Sequence, residues 1–367
     1  MDIYRARHLF TVKAIRRGVI QQEKRPTFHG WPTVANMGGD RLVAVASGNR
    51  QAHICPFGRV FLYESDDRGV TWDGPRALSQ GPLDDRDAGV CVTARGTWLV
   101  NYFTSTHFAY LEDAPAQWQA LSRKITIDTL KKEHGFWLLR STDQGKTWGG
   151  KYRVPVNNVH GPIVLSDGTL FWQGRGFRDA TGTSTFSDDI VSVISTDDGL
   201  TWREVGRIGL FDYPGLDLRN FHELASVQAA DGTIVTHVRV HDYPWGTWQM
   251  SSSDLGRSWS RPAPMLNPTL GCPAHLLRLH DSTLLTAYGY RADVSGIRAR
   301  VSEDHGNSWS EELVLLDGSP TSELGYPSTA QFADGTLFTL WYQASPETKV
   351  ASLHYLHWEL AVEAAKK

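Results

Sequence analysis

The sequence predicts an all-β chain, a six-bladed β-propeller closed by its N-terminal strand, and three observations predict it. An eight-residue motif, Ser-x-Asp-x-Gly-x-Thr/Ser-Trp, recurs five times, at Ser65 to Trp72, Ser141 to Trp148, Ser195 to Trp202, Ser252 to Trp259 and Ser302 to Trp309. A second element, an apolar run, a tight turn and another apolar run, recurs six times. The last repeat is one strand short, and the N-terminal run Arg7-His-Leu-Phe-Thr-Val-Lys13 can supply it.

The eight-residue motif reads as a turn with its own staple. Its Asp can accept hydrogen bonds from the backbone amides of a tight turn, its Gly supplies a left-handed backbone angle, and its Trp folds back over the turn. The second element carries turn residues between apolar runs of period two, which is the hairpin signature. Its copies are Met37-Gly-Gly-Asp-Arg-Leu, Thr93-Ala-Arg-Gly-Thr-Trp, Leu165-Ser-Asp-Gly-Thr-Leu, Ala230-Asp-Gly-Thr-Ile, Leu279-His-Asp-Ser-Thr-Leu and Phe332-Ala-Asp-Gly-Thr-Leu. Spacings of roughly 50 to 70 residues leave room for one four-stranded sheet per repeat, the blade of a propeller. In each blade the hairpin comes first and the eight-residue motif joins the outer pair. Pairing the first segment with the last removes an exposed edge. The expectation is one domain over residues 1–367, without a linker. Residues 112–134, inside blade 2, break the rhythm with a run rich in helix formers, a candidate rim, lid or contact surface.

Composition excludes several classes of function. A formal net charge of −3 and the lack of a basic run argue against nucleic acid. The three cysteines, Cys55, Cys91 and Cys272, are too few and too scattered for a disulfide framework or a zinc site, and are expected to be free thiols. No apolar run approaches membrane-spanning length and Met1 to His8 lacks a secretory leader, so a cytoplasmic protein is expected unless a leader was removed. No metal or cofactor is expected, and nothing assigns an oligomeric state. Of the fourteen tryptophans, five belong to the motifs. The others, among them Trp31, Trp118, Trp137, Trp172, Trp245, Trp248 and Trp341, are expected mainly to fill blade interfaces.

Chemistry is expected where the innermost strands open onto the axis. Residues just before the first strand of each blade and at the end of the second converge there from six directions. The entering set is His29 and Trp31; Asp84, Asp85, Arg86 and Asp87; His160; Asn220, His222 and Glu223; Cys272 and His275; Glu323 and Tyr326. The returning set is Arg50, Thr104, Arg175, Arg239, Arg291, and Tyr342 with Gln343. Four of the six returning ends carry arginine. Arg50, Arg175, Arg239 and Arg291 at one axial point imply an anionic ligand, because a buried guanidinium is costly without a partner. Pairing with Asp85, Asp87, Glu223 and Glu323 in a structural ion network is the competing account.

The eight-residue motif resembles the Asp-box of sialidases and other Asp-box propellers, and the resemblance extends to individual residues. Glu223-Leu-Ala-Ser through His237-Val-Arg239 is similar to the sialidase segment in which a Glu opens a blade and an Arg closes its second strand. Gly325-Tyr-Pro-Ser is similar to the segment bearing the nucleophilic tyrosine. The resemblance implies Tyr326 as nucleophile, Glu223 as its base, and Arg239 with Arg291, or its rival Arg298, on a substrate carboxylate. A tyrosine of reference pKa near 10 needs such a base at neutral pH, and sialidases are glycosidases that use tyrosine. An uncharged nucleophile suits an anomeric carbon that bears a carboxylate, which would repel Asp or Glu. The pattern departs at blade 1: Phe28-His-Gly-Trp-Pro32 puts His29 where the family has an arginine, and Gln343 stands where that arginine's Glu partner is expected. Arg50 matches a further arginine of blade 1. The loop after it, Gln51 to Gly58, lacks the expected acid/base Asp; His53 takes roughly its place, and Asp85 or Asp87 could reach the same region.

The resemblance therefore implies a retaining exo-glycosidase that removes a terminal acidic sugar from a glycan. Its expected catalytic residues are Tyr326, Glu223 and His53 or Asp87. Arg239, Arg291, Arg50, Arg175, His29, Trp31, Asp85 and His160 are expected to bind substrate. A polysaccharide lyase or histidine-driven glycosidase, with His29, His53 or His160 moving a proton, stays open, as does a non-catalytic sugar-binding propeller.

Overall fold

A computed structural model describes residues 8–20, 27–177, 186–241, 245–265 and 273–363. Six antiparallel sheets follow one another along the chain. Blade 1 runs Phe28–Asn36, Leu42–Arg50, Arg59–Ser65 and Asp73–Ala77, from the innermost strand outward. Blades 2, 4 and 5 repeat this order from Asp84–Val92, Phe221–Gln228 and Ala274–Arg278. Blade 3 has its innermost strand broken into Val156–Asn157 and Ile163–Val164, both paired with Leu170–Phe177. Blade 6 takes Leu324–Gln331, Leu337–Ala344 and Ala351–Glu363 from the C-terminal part of the chain, and its outermost strand is Leu9–Val19. That strand pairs with Ala351–Glu363 from Leu9 opposite Glu363 to Val19 opposite His354, with one bulge after Ala14. Closure thus uses the N-terminal segment, as expected, and runs six residues beyond Lys13; Arg7 lies outside the described residues.

Four of the six inner hairpins, those of blades 3 to 6, share one device. Asp167, Asp231, Asp281 and Asp334 each accept the backbone N–H of the Thr two residues on, at 2.8 to 3.1 Å, which locks the turn between first and second strands. The five Asp-boxes join third and outermost strands. In each, the Ser hydroxyl accepts the Gly N–H and the Asp carboxylate accepts the backbone N–H and the hydroxyl of the following Thr or Ser, as Asp254 does from Ser258 at 2.9 and 2.6 Å. The residue before the Gly also adopts a left-handed angle, at Arg68, Gln144, Asp198, Leu255 and His305, so the turn is tighter than one glycine implies.

Apolar burial is divided among the blade interfaces. One cluster fills each of the six, for instance Val43, Val45, Val60 and Leu62 of blade 1 against Val90, Trp98 and Val100 of blade 2. Because the blades bury both faces against their neighbours, the inner edges of the first strands are left to surround an axial channel. Trp31, Trp118, Trp137, Trp172, Trp248 and Trp341 are buried, whereas Trp245 is exposed. Cys55 and Cys91 are free, buried thiols; Cys272 lies outside the described residues. No helix among the described residues is long and apolar enough to cross a membrane.

The insertion of blade 2 lies between Trp98–Ser105 and Phe136–Ser141 and forms a 3-10 turn, His107–Tyr110, and two short helices, α1 (Ala116–Ser122) and α2 (Ile127–Glu133). Phe108, Ala114 and Trp118 pack on Cys55, with Ala52, Ile54 and Phe57 around them. Trp118 Nε1 donates to Gln51 Oε1 at 3.2 Å. The insertion therefore braces the blade 1 loop that carries His53.

Candidate active site

The mouth of the channel is a cavity of about 520 Å³, lined by His53, Arg86, Asp87, Asn157, Asn158, Arg175, His222, Glu223, Arg239, His241, Arg291 and Tyr326, with His107 and Tyr110 of the insertion at its rim. The volume suits a small ligand.

Four of the residues that face the axis are aimed by one backbone device. Trp31, Asp87, Glu223 and Tyr326 have φ of 54, 48, 40 and 51°, each at a break in the register between the first and second strands of its blade. A bulge re-aims a side chain that regular alternation would send into a blade interface. Holding four non-glycine residues there costs about 1–3 kcal/mol each and marks a constrained site. In blades 1 and 6 the device has the same pattern, a glycine, an aromatic residue, a proline and a hydroxyl residue, as Gly30-Trp-Pro-Thr33 and Gly325-Tyr-Pro-Ser328.

Tyr326 and Glu223 meet across the channel. The Tyr326 hydroxyl donates to Glu223 Oε1 at 2.5 Å. Arg239 Nη1 donates to both Glu223 oxygens, at 3.2 and 3.3 Å, and lies 3.4 Å from Tyr326 Oη. Burial pushes the Glu223 carboxyl up, but Arg239, the Tyr326 hydroxyl, His222 and His241 outweigh it and leave the group below its ordinary value, hence ionised at neutral pH. Burial and the Glu223 charge push Tyr326 well above the usual tyrosine range, so its proton leaves only toward the carboxylate beside it.

Two groups that can exchange a proton face this pair. Asp87 is buried, its Oδ1 has no hydrogen-bond partner among the described residues, and burial together with Glu223 raises its pKa to about 6 against the pull of Arg86. His53 lines the cavity from blade 1, with its Nδ1 2.7 Å from Glu323 Oε1. Burial, Arg86 and Arg50 lower its pKa, and Glu323 opposes them.

The arginines divide into two kinds. Arg239, Arg291, Arg175 and Arg86 line the cavity. Arg291 donates to Leu324 O at 2.9 and 2.7 Å and to Tyr342 Oη at 3.0 Å. Arg175 is held by Phe221 O at 3.0 Å, Ser187 O at 2.8 Å and Leu218 O. The Arg86 guanidinium lies 4.3 Å over the Trp31 ring and donates to His53 O at 3.1 Å. Arg50 does not line the cavity. It is 1% exposed, gripped by Asp84 at 2.5 and 2.9 Å, and it donates to the carbonyls of Ala52 and His53. The ion-network account holds for Arg50, with Asp84 as the partner. Arg298 is engaged by Glu312 and Asp317, away from the cavity.

Other expected site residues fall elsewhere. His29 is fully buried inside blade 1, hydrogen-bonded to Tyr63 Oη at 2.5 Å and Thr27 Oγ1 at 2.8 Å, with burial and Arg50 lowering its pKa to about 4. The bulge at Trp31 turns its neighbour away from the axis. Trp31 itself is covered, lying beneath Arg86 and edge-on to His53 at 4.9 Å, so it supports the cavity wall without lining it. Asp85 is buried in blade 2 and hydrogen-bonded by Ser79 Oγ at 2.6 Å, with burial raising its pKa to about 7. His160 sits deeper in the channel against His275, with ring centroids 4.8 Å apart, and lines a second cavity there. Sequence reading placed Arg86 on the axis without giving it a role and passed over His241, Asn157 and Asn158; none follows a repeat-wide pattern that could have flagged it. Among the described residues no group of three or more His, Cys, Asp or Glu could hold a metal ion.

The chain is similar in structure to a protein of unknown function from Dyadobacter fermentans, with 21% identity and a TM-score of 0.74 over 95% of this chain and 99% of that one. It is similar to the sialidase of Trypanosoma rangeli bound to the inhibitor DANA, with 18% identity and a TM-score of 0.62 over 92% of this chain, but it spans only 56% of that one. A point mutant of the NanB sialidase of Streptococcus pneumoniae, at 13% identity, gives a TM-score of 0.68 over 95% of this chain and 71% of that one. These likenesses carry the fold. No curated protein matches the sequence. The BNR repeat-like domain family matches residues 104–339, more than half of the chain, and with six blades and five Asp-boxes the chain belongs to that family.

Proposed function

We propose that the protein is a sialidase-like exo-glycosidase that cleaves a terminal acidic sugar from a glycan with retention of configuration. The observation that carries this reading is the 2.5 Å hydrogen bond from Tyr326 to the ionised Glu223 in an arginine-lined cavity. In the first step the Tyr326 oxygen bonds to the anomeric carbon as its proton passes to Glu223. The glycosidic C–O bond breaks, and His53 or Asp87 protonates the departing oxygen. In the second step the same acid/base takes a proton from water, the water oxygen displaces Tyr326, and Glu223 returns the proton to the phenolate. Arg239 and Arg291, from adjacent blades, hold the substrate carboxylate, with Arg86 and Arg175 adding positive potential. His29 is not available for that task, so the acid group is held differently from the family pattern.

The test is an assay against aryl glycosides of sialic acid and of other acidic sugars. Release of the aryl group that is lost in Tyr326→Phe and Glu223→Gln supports the reading. An unsaturated, ultraviolet-absorbing product would instead identify a lyase, and saturable binding of acidic sugar without turnover would identify a binding propeller.

A further inference from the structure

We propose that Glu323 is a positioning residue for His53: its carboxylate holds the Nδ1–H of the imidazole, so that Nε2 is the atom presented to the cavity as the proton carrier. This rests on the glycosidase reading for its catalytic part and on geometry for the rest. His53 and Glu323 come from opposite ends of the chain, His53 from the loop after the second strand of blade 1 and Glu323 from the residue before the first strand of blade 6. They meet because the ring closes these two blades on each other.

The hydrogen bonds leave one consistent assignment of protons. Glu323 Oε1 accepts from His53 Nδ1 at 2.7 Å and from Tyr342 Oη at 3.1 Å. Tyr342 Oη accepts in turn from Arg291 Nη2 at 3.0 Å. An ionised carboxylate only accepts, so Nδ1 carries the proton and the lone pair of neutral His53 is on Nε2. The backbone of His53 is fixed as well, since its carbonyl accepts from Arg50 at 2.7 Å and from Arg86 at 3.1 Å. The ring rests edge-on against Trp31 at 4.9 Å and Phe28 at 6.1 Å. The His53 and Glu323 side chains are 45% and 39% exposed, and an ion pair at that exposure contributes little stability. What the Tyr342 hydroxyl on the same carboxylate, itself held by Arg291, does provide is a fixed ring orientation, the arrangement by which a carboxylate directs a histidine base.

The charged groups facing His53 are Arg86 from blade 2, Arg50 from blade 1 and Glu323 from blade 6. Two cations weaken its hold on a proton and one anion restores it. Removing the Glu323 charge therefore leaves the arginines unopposed.

The experiment is ¹⁵N NMR of the imidazoles in the full chain, without ligand, for wild type, Glu323→Gln, Glu323→Ala and Glu323→Asp, with His53→Asn to assign the signal. The Nδ1–H tautomer is expected in wild type and is lost in Glu323→Ala. Glu323→Gln lowers the titration midpoint by about 1 pH unit, and Glu323→Asp, which keeps the charge, restores most of it. On any acidic glycoside that is turned over, the alkaline limb of kcat/KM moves down by the same amount in Glu323→Gln, about tenfold in rate at a fixed pH on that limb. An unchanged tautomer and midpoint would overturn the proposal. A shifted midpoint with an unmoved limb would overturn its catalytic part. Absence of turnover on all acidic glycosides would count against the glycosidase reading, while the spectra still decide whether Glu323 orients His53.

Discussion

Replacing Asp84 by Ala strips the partner from the most deeply buried cation of the wall. Arg50 and Asp84 are at most 1% exposed and joined by two hydrogen bonds, of 2.5 and 2.9 Å; Arg86 lies 3.6 Å from the same carboxylate. Breaking a buried pair from one side leaves an uncompensated charge, at about 3–5 kcal/mol. For 367 residues the unfolding entropy is about 0.8 kcal/mol/K, so Tm should fall by roughly 4–6 °C. Arg50→Met combined with Asp84→Leu removes both charges and should recover most of that loss, because two apolar side chains of similar size replace the pair. Activity should not recover with it, since Arg50 also holds the carbonyls of Ala52 and His53. Differential scanning calorimetry with a parallel turnover assay reads both effects. A fall in Tm under about 1 °C for Asp84→Ala, corresponding to less than about 1 kcal/mol, would refute the reasoning, and a double variant that regains full activity would refute the link to the His53 loop.

The kcat/KM profile should be a bell: it rises as pH climbs through the Glu223 pKa, held below 4.5, because the base must be ionised, and falls as pH passes that of the proton donor. That donor limb lies below 6.5 for His53 and near 6 for Asp87, and whichever of His53→Asn and Asp87→Asn abolishes the limb identifies the donor. Trp118→Ala should loosen the insertion and with it the His53 loop, seen as faster proteolysis near residues 106–135 and reduced turnover; unchanged cleavage and activity would mean that the insertion does not brace the site. In the Asp-boxes the Asp143, Asp197 and Asp254 carboxylates are held at about 2 by hydrogen bonds from the following Thr or Ser. Their folded pKa lies below the unfolded value near 3.9, so their contribution is present above about pH 4 and lost as pH falls toward 2. Asp254→Asn should therefore flatten the dependence of Tm on pH in that window; an unaltered slope would contradict it.

Blade number, hairpin order and closure were legible because their determinants are local: a turn is specified within eight residues, and its recurrence counts the blades. The meeting of Tyr326, Glu223 and Arg239 was legible because all three stand at fixed places relative to those turns. What was not legible depends on bulges and on partner choice. Strand alternation has period two, so the bulge at Trp31 reverses which residue looks to the axis, and His29 goes into the blade while Trp31 is covered by Arg86. Arg50 and Arg175 look alike in sequence, yet a carboxylate across the blade interface engages Arg50 fully, while Arg175 is held by backbone carbonyls and still lines the cavity. The pairing of His53 with Glu323 spans nearly the whole chain and exists only once the ring is closed.

The central claim, that Tyr326 is the nucleophile, is tested most directly by trapping the glycosyl-enzyme. A 2,3-difluoro derivative of an acidic sugar that the protein turns over should leave one adduct per chain, found by intact-protein mass spectrometry, mapped by peptide analysis to Tyr326 and missing in Tyr326→Phe. Turnover with no adduct, an adduct on another residue, or full activity in Tyr326→Phe would contradict it.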